Sequence, residues 1–330
     1  MTLGAEKVLD VAMRSIAAPL AAVMAVAVLA SCGDSSEAPL AAGELRIATG
    51  LDGGVYRVYG AELADILSEN LQPVRAVAAQ TDGSVDNLQR LDARRAEVAF
   101  TLADTAALAI AGRAPFTRPV KIVALARLYD DYLQIVVRKD SPVRRIRHLA
   151  GRRVSIGARG SGTALEAESI LRLPTMDLRG RPAVRKQHLT LKQSTKALAD
   201  GDIDAFFWSG GLPTEAIEDL RDDVPIRLIG LPAGTAKELD PNLYSDSEIP
   251  RYFYRTGVPV RTVIASNLLA AREDLPDETA YRITRELFEH KKQLEAEHEQ
   301  AKRLNPRSAI ATFPMKLHPG AKRWYREASR

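Results

Sequence analysis

Three glycines, Gly157, Gly160 and Gly162, lie between a strand-like run and a helical pattern in the stretch VSIGARGSGTALEAESILR at 154–172. The first turn of a helix carries backbone N–H groups without intrahelical partners and the positive end of the helix dipole. Glycines in such a turn leave its amides open to a ligand. The stretch therefore predicts a binding site for an anion.

The spacing of this turn argues against the common phosphate sites. A Walker loop requires Gly-Lys-Ser/Thr, whereas Gly162 is followed by Thr163 without a lysine. The glycines read G-x-x-G-x-G, which differs from the G-x-G-x-x-G of a dinucleotide site. Ser161 lacks the flanking glycines of a nucleophile elbow, because Arg159 and Thr163 occupy those places. No cofactor and no catalytic serine is predicted.

Other side chains that could do chemistry are dispersed along the chain. The five histidines have no paired metal-ligand spacing, so no metal site is predicted. Asp130 and Asp131 are adjacent, but neighbours on a strand point to opposite faces and do not form a catalytic pair. No general acid–base constellation is predicted, so the spacing of these side chains gives no support for an enzyme.

The elements that must position the glycine turns alternate between strands and helices. A strand at 44–50 and a helix at 55–70 flank an earlier glycine turn, Gly53 and Gly54, and strand, helix and strand patterns continue to residue 102. A second run of the same kind spans 154–230. Alternation of this kind predicts mostly parallel sheets flanked by helices.

Two strand-like runs at 121–129 and 132–140 meet near Asp130 and are predicted to cross between the two units, and the segment 261–275 runs back. The predicted fold class is α/β, a two-lobed periplasmic-binding-protein-like fold of type II-like plan with two crossover strands as the hinge. Lobe I comprises 44–132 plus 262–330, and lobe II comprises 133–261. One long amphipathic helix is predicted over 276–300.

The N-terminus has its own signature. An apolar run at 16–30 is too short to span a bilayer comfortably and leads into LASC at 29–32, which resembles a bacterial lipoprotein signal. The resemblance implies a signal peptide at 1–31, lipidation of Cys32 and a flexible tether at 32–43; the alternative is a free thiol. Glu6 and Asp10 are acidic where such signals are basic, so a start at Met13 is a further hypothesis.

The charge balance favours no macromolecular partner. Lys and Arg number 46 against 42 Asp and Glu, which gives a net charge of +4. The basic residues are scattered and are not interleaved with aromatic ones, so no nucleic acid is predicted as a partner. The chain is expected to be a monomer that binds a small anionic solute.

Several motifs in order closely resemble the TAXI family of solute receptors: TGLDGGVYRVYGAELADIL, QTDGSVDNLQRL, ALARLYDDYLQIVVRKDS, VSIGARGSGTALEA, DIDAFFWSGGLPTEAI and LHPGAKRWYRE. The resemblance spans nearly the whole chain after the tether. It implies an extracytoplasmic receptor for a TRAP transporter, which is driven by ion gradients. It also implies a small carboxylate ligand, with glutamate or a related dicarboxylate as the best candidate.

Carried over residue by residue, the motifs imply ligand contacts from Gly53, Gly54, Tyr56, Gly83, Ser84, Asn87, Gly160, Ser161, Gly162, Thr163, Phe207, Trp208, Gly210 and Gly211. Two roles stay open. Tyr56 either donates to the ligand or packs in the core, and Ser84 either caps its helix or contacts the ligand. Phe206 is expected in the core, because strand alternation sends it away from Phe207.

Departures from the family pattern at Arg57, Asp82 and Arg159 leave the ligand's identity open, since an inward arginine would favour a second carboxylate. A rival function is a lipoprotein that senses a ligand and signals to a membrane sensor kinase, because the same lobes could present a surface to either partner. An anchored hydrolase is the third possibility, and no residue spacing supports it.

Overall fold

The computed structural model describes residues 43–330. The predicted signal peptide (1–31), the lipidation at Cys32 and the tether up to residue 42 lie outside the described residues. Gly43, which the sequence analysis assigns to the tether, is the first residue of the first strand. Within residues 43–330, ten strands form one mixed sheet.

The strands are β1 (Gly43–Ala48), β2 (Val74–Ala79), β3 (Val98–Leu102), β4 (Ile122–Arg138), β5 (Arg153–Ser155), β6 (Arg185–Gln187), β7 (Ala205–Gly210), β8 (Ile226–Leu228), β9 (Tyr244–Ile249) and β10 (Val260–Arg272). The helices are α1 (Val55–Asn70), α2 (Ser84–Asp92), α3 (Ala103–Ile110), α4 (Gly162–Arg172), α5 (Leu191–Asp200), α6 (Glu215–Asp223), α7 (Thr235–Leu239), α8 (Asp277–Glu289), α9 (Lys291–Glu297), α10 (Pro306–Ala309) and α11 (Pro319–Ala328). Short 3-10 helices span Ile146–Leu149, Pro174–Met176, Phe253–Arg255 and Glu299–Arg303. The predicted alternation of strands and helices is confirmed.

The strand order is β2-β1-β3-β10-β4-β7-β5-β6. β1 pairs in parallel with β2 and β3, and β5 pairs in parallel with β6 and β7. We call the part built on β2-β1-β3 the first lobe and the part built on β7-β5-β6 the second lobe. The glycine turns follow β1 and β5, at the carboxyl ends of parallel strands, where open α/β sheets bind their ligands.

Two long antiparallel strands, β4 and β10, join the lobes. The first part of β4, up to Tyr132, pairs with β10, and the part from Tyr132 to Val136 pairs with β7. The prediction of two separate runs at 121–129 and 132–140 is wrong, because β4 is one continuous strand. The two adjacent aspartates do not break it: Asp131 faces the protein interior, while Asp130 forms an ion pair with Arg127 at 2.7 Å.

Each lobe buries apolar side chains on both faces of its sheet. On β7, Phe206 packs in a cluster with Val136 and Leu220, while Phe207 packs in a different cluster with Val137 and Ile170. Both phenylalanines are almost fully buried. Alternation along the strand thus sends the two rings to opposite faces, and the prediction that Phe206 belongs to the core is confirmed.

The predicted single helix over 276–300 is wrong. α8 ends at Glu289, and α9 begins after His290, whose φ of −98° and ψ of 20° turn the chain. The turn brings Leu294 into the core of the first lobe beside α1, where it is 1% exposed. Burial of this leucine outweighs the continuity of the helix, which local periodicity alone predicts.

Candidate functional site

A cavity of about 70 Å³ lies between the two lobes. Since a single water needs roughly 10–15 Å³ by the same measure, the cavity holds about five to seven water-sized groups. Its walls are the turns after β1 and β5, the first turns of α1, α2 and α4, and the end of β7. The space suits a small solute.

Most of the predicted ligand-binding residues meet at this cavity. Ten of the fourteen line it: Gly54, Tyr56, Gly83, Ser84, Ser161, Gly162, Thr163, Phe207, Trp208 and Gly210. The other four, Gly53, Asn87, Gly160 and Gly211, do not. The two glycine turns, more than one hundred residues apart in the chain, thus face the same space.

Helix α1 presents an uncapped N-terminus to the cavity. Its N-cap is Gly54, which has no side chain to cap the helix, and its first turn carries no acidic residue. The backbone N–H groups of Val55 and Tyr56 have no hydrogen-bond partner within residues 43–330. Free amides at the positive end of a helix dipole form a site for an anion.

Helix α4 presents the matching N-terminus from the second lobe. Its N-cap Ser161 accepts a hydrogen bond from Ala164 N at 3.1 Å and donates to Ala158 O at 2.8 Å. The hydroxyl of Ser161 therefore caps the helix. The N–H groups of Gly162 and Thr163 have no partner among the described residues, so they remain available to a ligand.

A third helix N-terminus, that of α2, is occupied by the opposite lobe. The carbonyl oxygen of Gly160 accepts hydrogen bonds from Val85 N at 3.0 Å and Asp86 N at 3.2 Å. Gly83 approaches the backbone of Ser161 so closely that a Cβ on Gly83 would lie 3.4 Å from Ser161 Cα. The loop before α4 thus fastens the lobes together, and Gly160 acts in that contact rather than in the cavity wall.

Asn87 ties strands together instead of facing the cavity. Its side chain is fully buried, and its Nδ2 donates to Thr49 O at 2.7 Å and Phe100 O at 2.8 Å. Its Oδ1 accepts from Thr81 Oγ1 at 2.6 Å. These contacts use the amide to hold β1, β3 and the loop before α2 in place.

The two remaining glycines, Gly53 and Gly211, are required by backbone conformation and by close packing. Gly53 has a φ of +81°, which glycine adopts without strain, and it shapes the turn closed by the bond from Gly54 N to Leu51 O at 3.2 Å. A Cβ on Gly211 would lie 2.6 Å from the side chain of Gln300. Neither residue lines the cavity.

Aromatic side chains form one wall of the cavity. Phe207 and Trp208 at the end of β7 both line it, and Trp208 Nε1 donates to Thr214 Oγ1 at 3.1 Å. A Cβ on Gly210 would lie 2.4 Å from Trp208 Nε1, so this glycine leaves room for the indole. The wall gives the solute an apolar surface beside the polar helix ends.

Tyr56 and Ser84 combine packing with a place in the cavity wall. The hydroxyl of Tyr56 donates to Asn267 Oδ1, and its ring lies 5.2 Å from that of Phe100. Burial raises the pKa of Tyr56 well above its usual value, so its phenol stays protonated at neutral pH. Ser84 Oγ accepts from Leu102 N at 3.1 Å and does not cap α2, whose N-cap is Gly83.

A comparison with known protein families shows which family the chain belongs to. A sequence model of the NMT1-like family matches residues 47–328. The chain belongs to the NMT1-like family. This NMT1-like protein is similar to the binding protein component of an ABC phosphonate transporter from Pseudomonas aeruginosa, at 11% identity and a TM-score of 0.54 over 79% of each chain.

A second similar structure is the periplasmic aliphatic sulphonate binding protein of Escherichia coli. It has 14% identity to this NMT1-like chain and a TM-score of 0.49, over 87% of this chain and 84% of that one. The similarity to the phosphonate-transporter component confirms the predicted fold class, a two-lobed periplasmic-binding-protein-like fold. At such low identity it shows the fold alone.

The cavity of this NMT1-like protein has an acidic side. Asp131 lines it and is 5% exposed, and its Oδ1 has no hydrogen-bond partner in the described part of the chain. Two more carboxyls are buried nearby: Asp104 accepts from the Tyr244 hydroxyl at 2.5 Å, and Glu166 Oε2 has no described partner. Burial raises the pKa of all three carboxyls, to about 7 for Asp131.

Sequence reasoning missed several lining residues of this NMT1-like site, among them Leu102, Tyr129, Asp131, Leu189, Thr190 and Ser209. For two of them, the sequence contains a pattern that could have indicated a place in the site. Tyr129 and Asp131 are two positions apart on β4, so they share a face of the strand. The alternation that separates Asp130 from Asp131 also requires that one of the two points inward.

The two arginines whose orientation the sequence leaves open do not line the cavity. Arg57 Nε lies 3.6 Å from Asp52 Oδ1, and Arg159 is exposed. Among the described lining residues there is no Lys, Arg or His. An anion bound in this NMT1-like cavity would therefore be held by backbone N–H groups and hydroxyls.

Residues 43–330 contain neither a metal-binding cluster nor a membrane-spanning helix. No group of three or more His, Cys, Asp or Glu side chains in this region is arranged to hold a metal ion, and none of its helices has the length and apolarity that a bilayer span requires.

Proposed function

We propose that this protein is an extracytoplasmic, lipid-anchored receptor that captures a small carboxylate, glutamate-like or a dicarboxylate, for a TRAP-type secondary transporter. The observation that carries the proposal is the pair of helix N-termini with free backbone N–H groups, one from each lobe, at a single cavity. A carboxylate accepts several hydrogen bonds and is stabilised by the positive ends of α1 and α4. The N-termini of α1 and α4 contact the same ligand only when the two lobes are closed. Binding of the ligand is therefore coupled to closure of the lobes.

The first test is a thermal-shift screen of the purified protein. A ligand that binds only the folded form, at a hundred times its dissociation constant, stabilises it by about 2.7 kcal/mol, which raises the melting temperature measurably. We expect mono- and dicarboxylates to stabilise the protein and neutral sugars of similar size to leave it unchanged. Stabilisation by the sugars alone would contradict the role of the helix ends as an anion site.

The choice of a TRAP partner comes from the resemblance of the sequence motifs to TAXI receptors. Membrane vesicles that contain the receptor and its permease test this choice, because a secondary transporter takes up solute under an imposed ion gradient without ATP. Uptake that requires ATP inside the cytoplasmic compartment would instead assign an ABC-type partner. Ligand binding without any uptake partner would favour the sensor kinase.

Lipid anchoring is tested at Cys32. We expect the wild-type chain, expressed in a bacterium with lipoprotein processing, to be acylated and found with membranes, and Cys32→Ser to abolish acylation. Two or three acyl chains hold a protein stably at a bilayer, whereas one holds it weakly. Mass spectrometry of the mature N-terminus and fractionation check this. A native protein that carries an unmodified Cys32 thiol would overturn the anchor.

A further inference from the structure

One carboxyl group in the cavity wall has no role in the capture of an anion. Asp131 lies on β4 where the chain crosses between the lobes, is 5% exposed and lines the cavity. Its Oδ1 has no hydrogen-bond partner among the described residues. A buried carboxylate with an unpartnered oxygen is costly while it is ionised, so it calls for protonation or for a compensating group.

The protein supplies no such group from the cavity wall. No Lys, Arg or His is among the described lining residues. The neighbouring Asp130 differs, because Arg127 donates to both of its oxygens at 2.7 and 2.8 Å. When Asp131 is ionised, a compensating cation would therefore come with the solute. A plain dicarboxylate brings only further negative charge.

We propose that Asp131 binds a cationic amine of the solute, so that the site selects a zwitterion, with its carboxylate at the N-termini of α1 and α4, over the same acid without an amine. This inference rests on the proposed function and narrows it. A carboxylate and an ammonium on one small molecule match the two polar sides of the cavity. Phe207 and Trp208 then contact its apolar part.

The groups around Asp131 make the affinity for an amine-bearing solute depend on pH. Burial raises its pKa to about 7, and the amide of Asn267 acts in the opposite direction. The titratable groups that interact electrostatically with it are two buried carboxyls, the adjacent aspartate and two phenols: Asp104 on α3, Glu166 on α4, Asp130 on β4, Tyr56 on α1 and Tyr129 on β4. All of them are acidic groups, so none compensates an ionised Asp131.

The direction of the pH dependence follows from the protonation state of Asp131 that binds the amine. A cation favours the carboxylate and lowers its pKa, so binding releases a proton near neutral pH. The affinity for a zwitterion should be full above about pH 7 and should weaken as the pH falls below it, by at most about tenfold per unit. An amine-free acid should not lose affinity in this range.

The experiment is calorimetry on the purified full chain with matched pairs: L-glutamate and glutarate, L-aspartate and succinate, L-leucine and 4-methylpentanoate, 4-aminobutyrate and butyrate. We expect at least one amine-bearing member to bind tenfold or more tightly than its partner at pH 8, and this ratio to shrink at pH 6. Asp131→Asn, which keeps the shape of the side chain, should bring the ratio near one and flatten the pH profile. Asp130→Asn is the matched control and should leave the ratio at pH 8 unchanged.

Three results would overturn the inference. The first is that the amine-free acid binds as tightly as its amine-bearing partner, and the second is that Asp131→Asn keeps the wild-type ratio. Either result leaves the carboxylate receptor standing and removes the role of Asp131. If no member of any pair binds at millimolar concentration, the proposed function fails as well. The wild-type pH profile tests the inference even where the Asp131→Asn variant does not fold.

Discussion

Gly162→Val is expected to weaken carboxylate binding by more than tenfold while the protein stays folded. Gly162 is the first residue of α4, and a Cβ there would lie 2.5 Å from Leu102 Cδ1 and 2.9 Å from Ser84 Oγ. Both of these atoms belong to the first lobe. The valine would therefore hold the lobes apart and keep the free amides of α4 from the ligand. A tenfold loss is about 1.4 kcal/mol, less than one or two charge-assisted hydrogen bonds at about 1.5–3 kcal/mol each.

Calorimetry with the carboxylate found in the thermal screen measures this effect, and circular dichroism checks the fold. Ser161→Ala on the same loop is the comparison, because it removes the cap on Ala164 N without adding bulk. It should lower the free energy of unfolding by about 1 kcal/mol and weaken binding less than the valine does. If Gly162→Val binds with wild-type affinity, the glycines of the loop before α4 are needed only to form the strand-to-helix turn.

Asn87→Ala should lower the free energy of unfolding by about 3 kcal/mol or more. The asparagine makes three buried hydrogen bonds, and its loss leaves Thr49 O, Phe100 O and Thr81 Oγ1 without it. Thr81 Oγ1 still donates to Thr49 O at 3.1 Å, so each of the three lost hydrogen bonds is counted at its net value of about 1 kcal/mol. Because Asn87 does not line the cavity, the folded variant should bind its ligand with wild-type affinity.

Urea unfolding and calorimetry below the transition separate the two effects. Gln89→Ala is the control, since Gln89 is exposed on the same helix and its replacement should change stability by less than about 0.5 kcal/mol. A variant of Asn87 with normal stability and lost binding would restore this residue to the ligand site.

The sequence was sufficient to predict the features that depend on local pattern. Periodicity located α1 at 55–70, and the glycine turns pointed to the helix ends that line the cavity. It could not predict how the turns are used, because that depends on contacts between distant segments. The N-terminus of α2 has the same local signature as those of α1 and α4, yet the Gly160 carbonyl from the other lobe occupies it.

The dependence on contacts between distant segments also explains the predictions that were wrong. The adjacent aspartates on β4 suggested a break between two runs, but Arg127 and the buried cavity wall give each carboxyl its own surroundings on an unbroken strand. Leu294 ends the periodic helix pattern by packing beside α1, a contact set by tertiary structure. Alternation alone places Asp130 and Asp131 on opposite faces of the strand, whereas which of them points inward, and the lack of a cation among the described lining residues, become apparent only in the folded chain.

The most direct test of the account is a fluorescence titration that follows Trp208. The sequence has two tryptophans, and Trp208 lines the cavity, whereas Trp324 packs in the core of the first lobe against Phe288. A small carboxylate that binds between the lobes should change the emission of wild-type protein saturably, and Trp208→Phe should remove this change while calorimetry still detects binding. Saturable calorimetric binding that leaves the emission of Trp208 unchanged and persists undiminished in Gly162→Val would place the ligand elsewhere and contradict the proposed site.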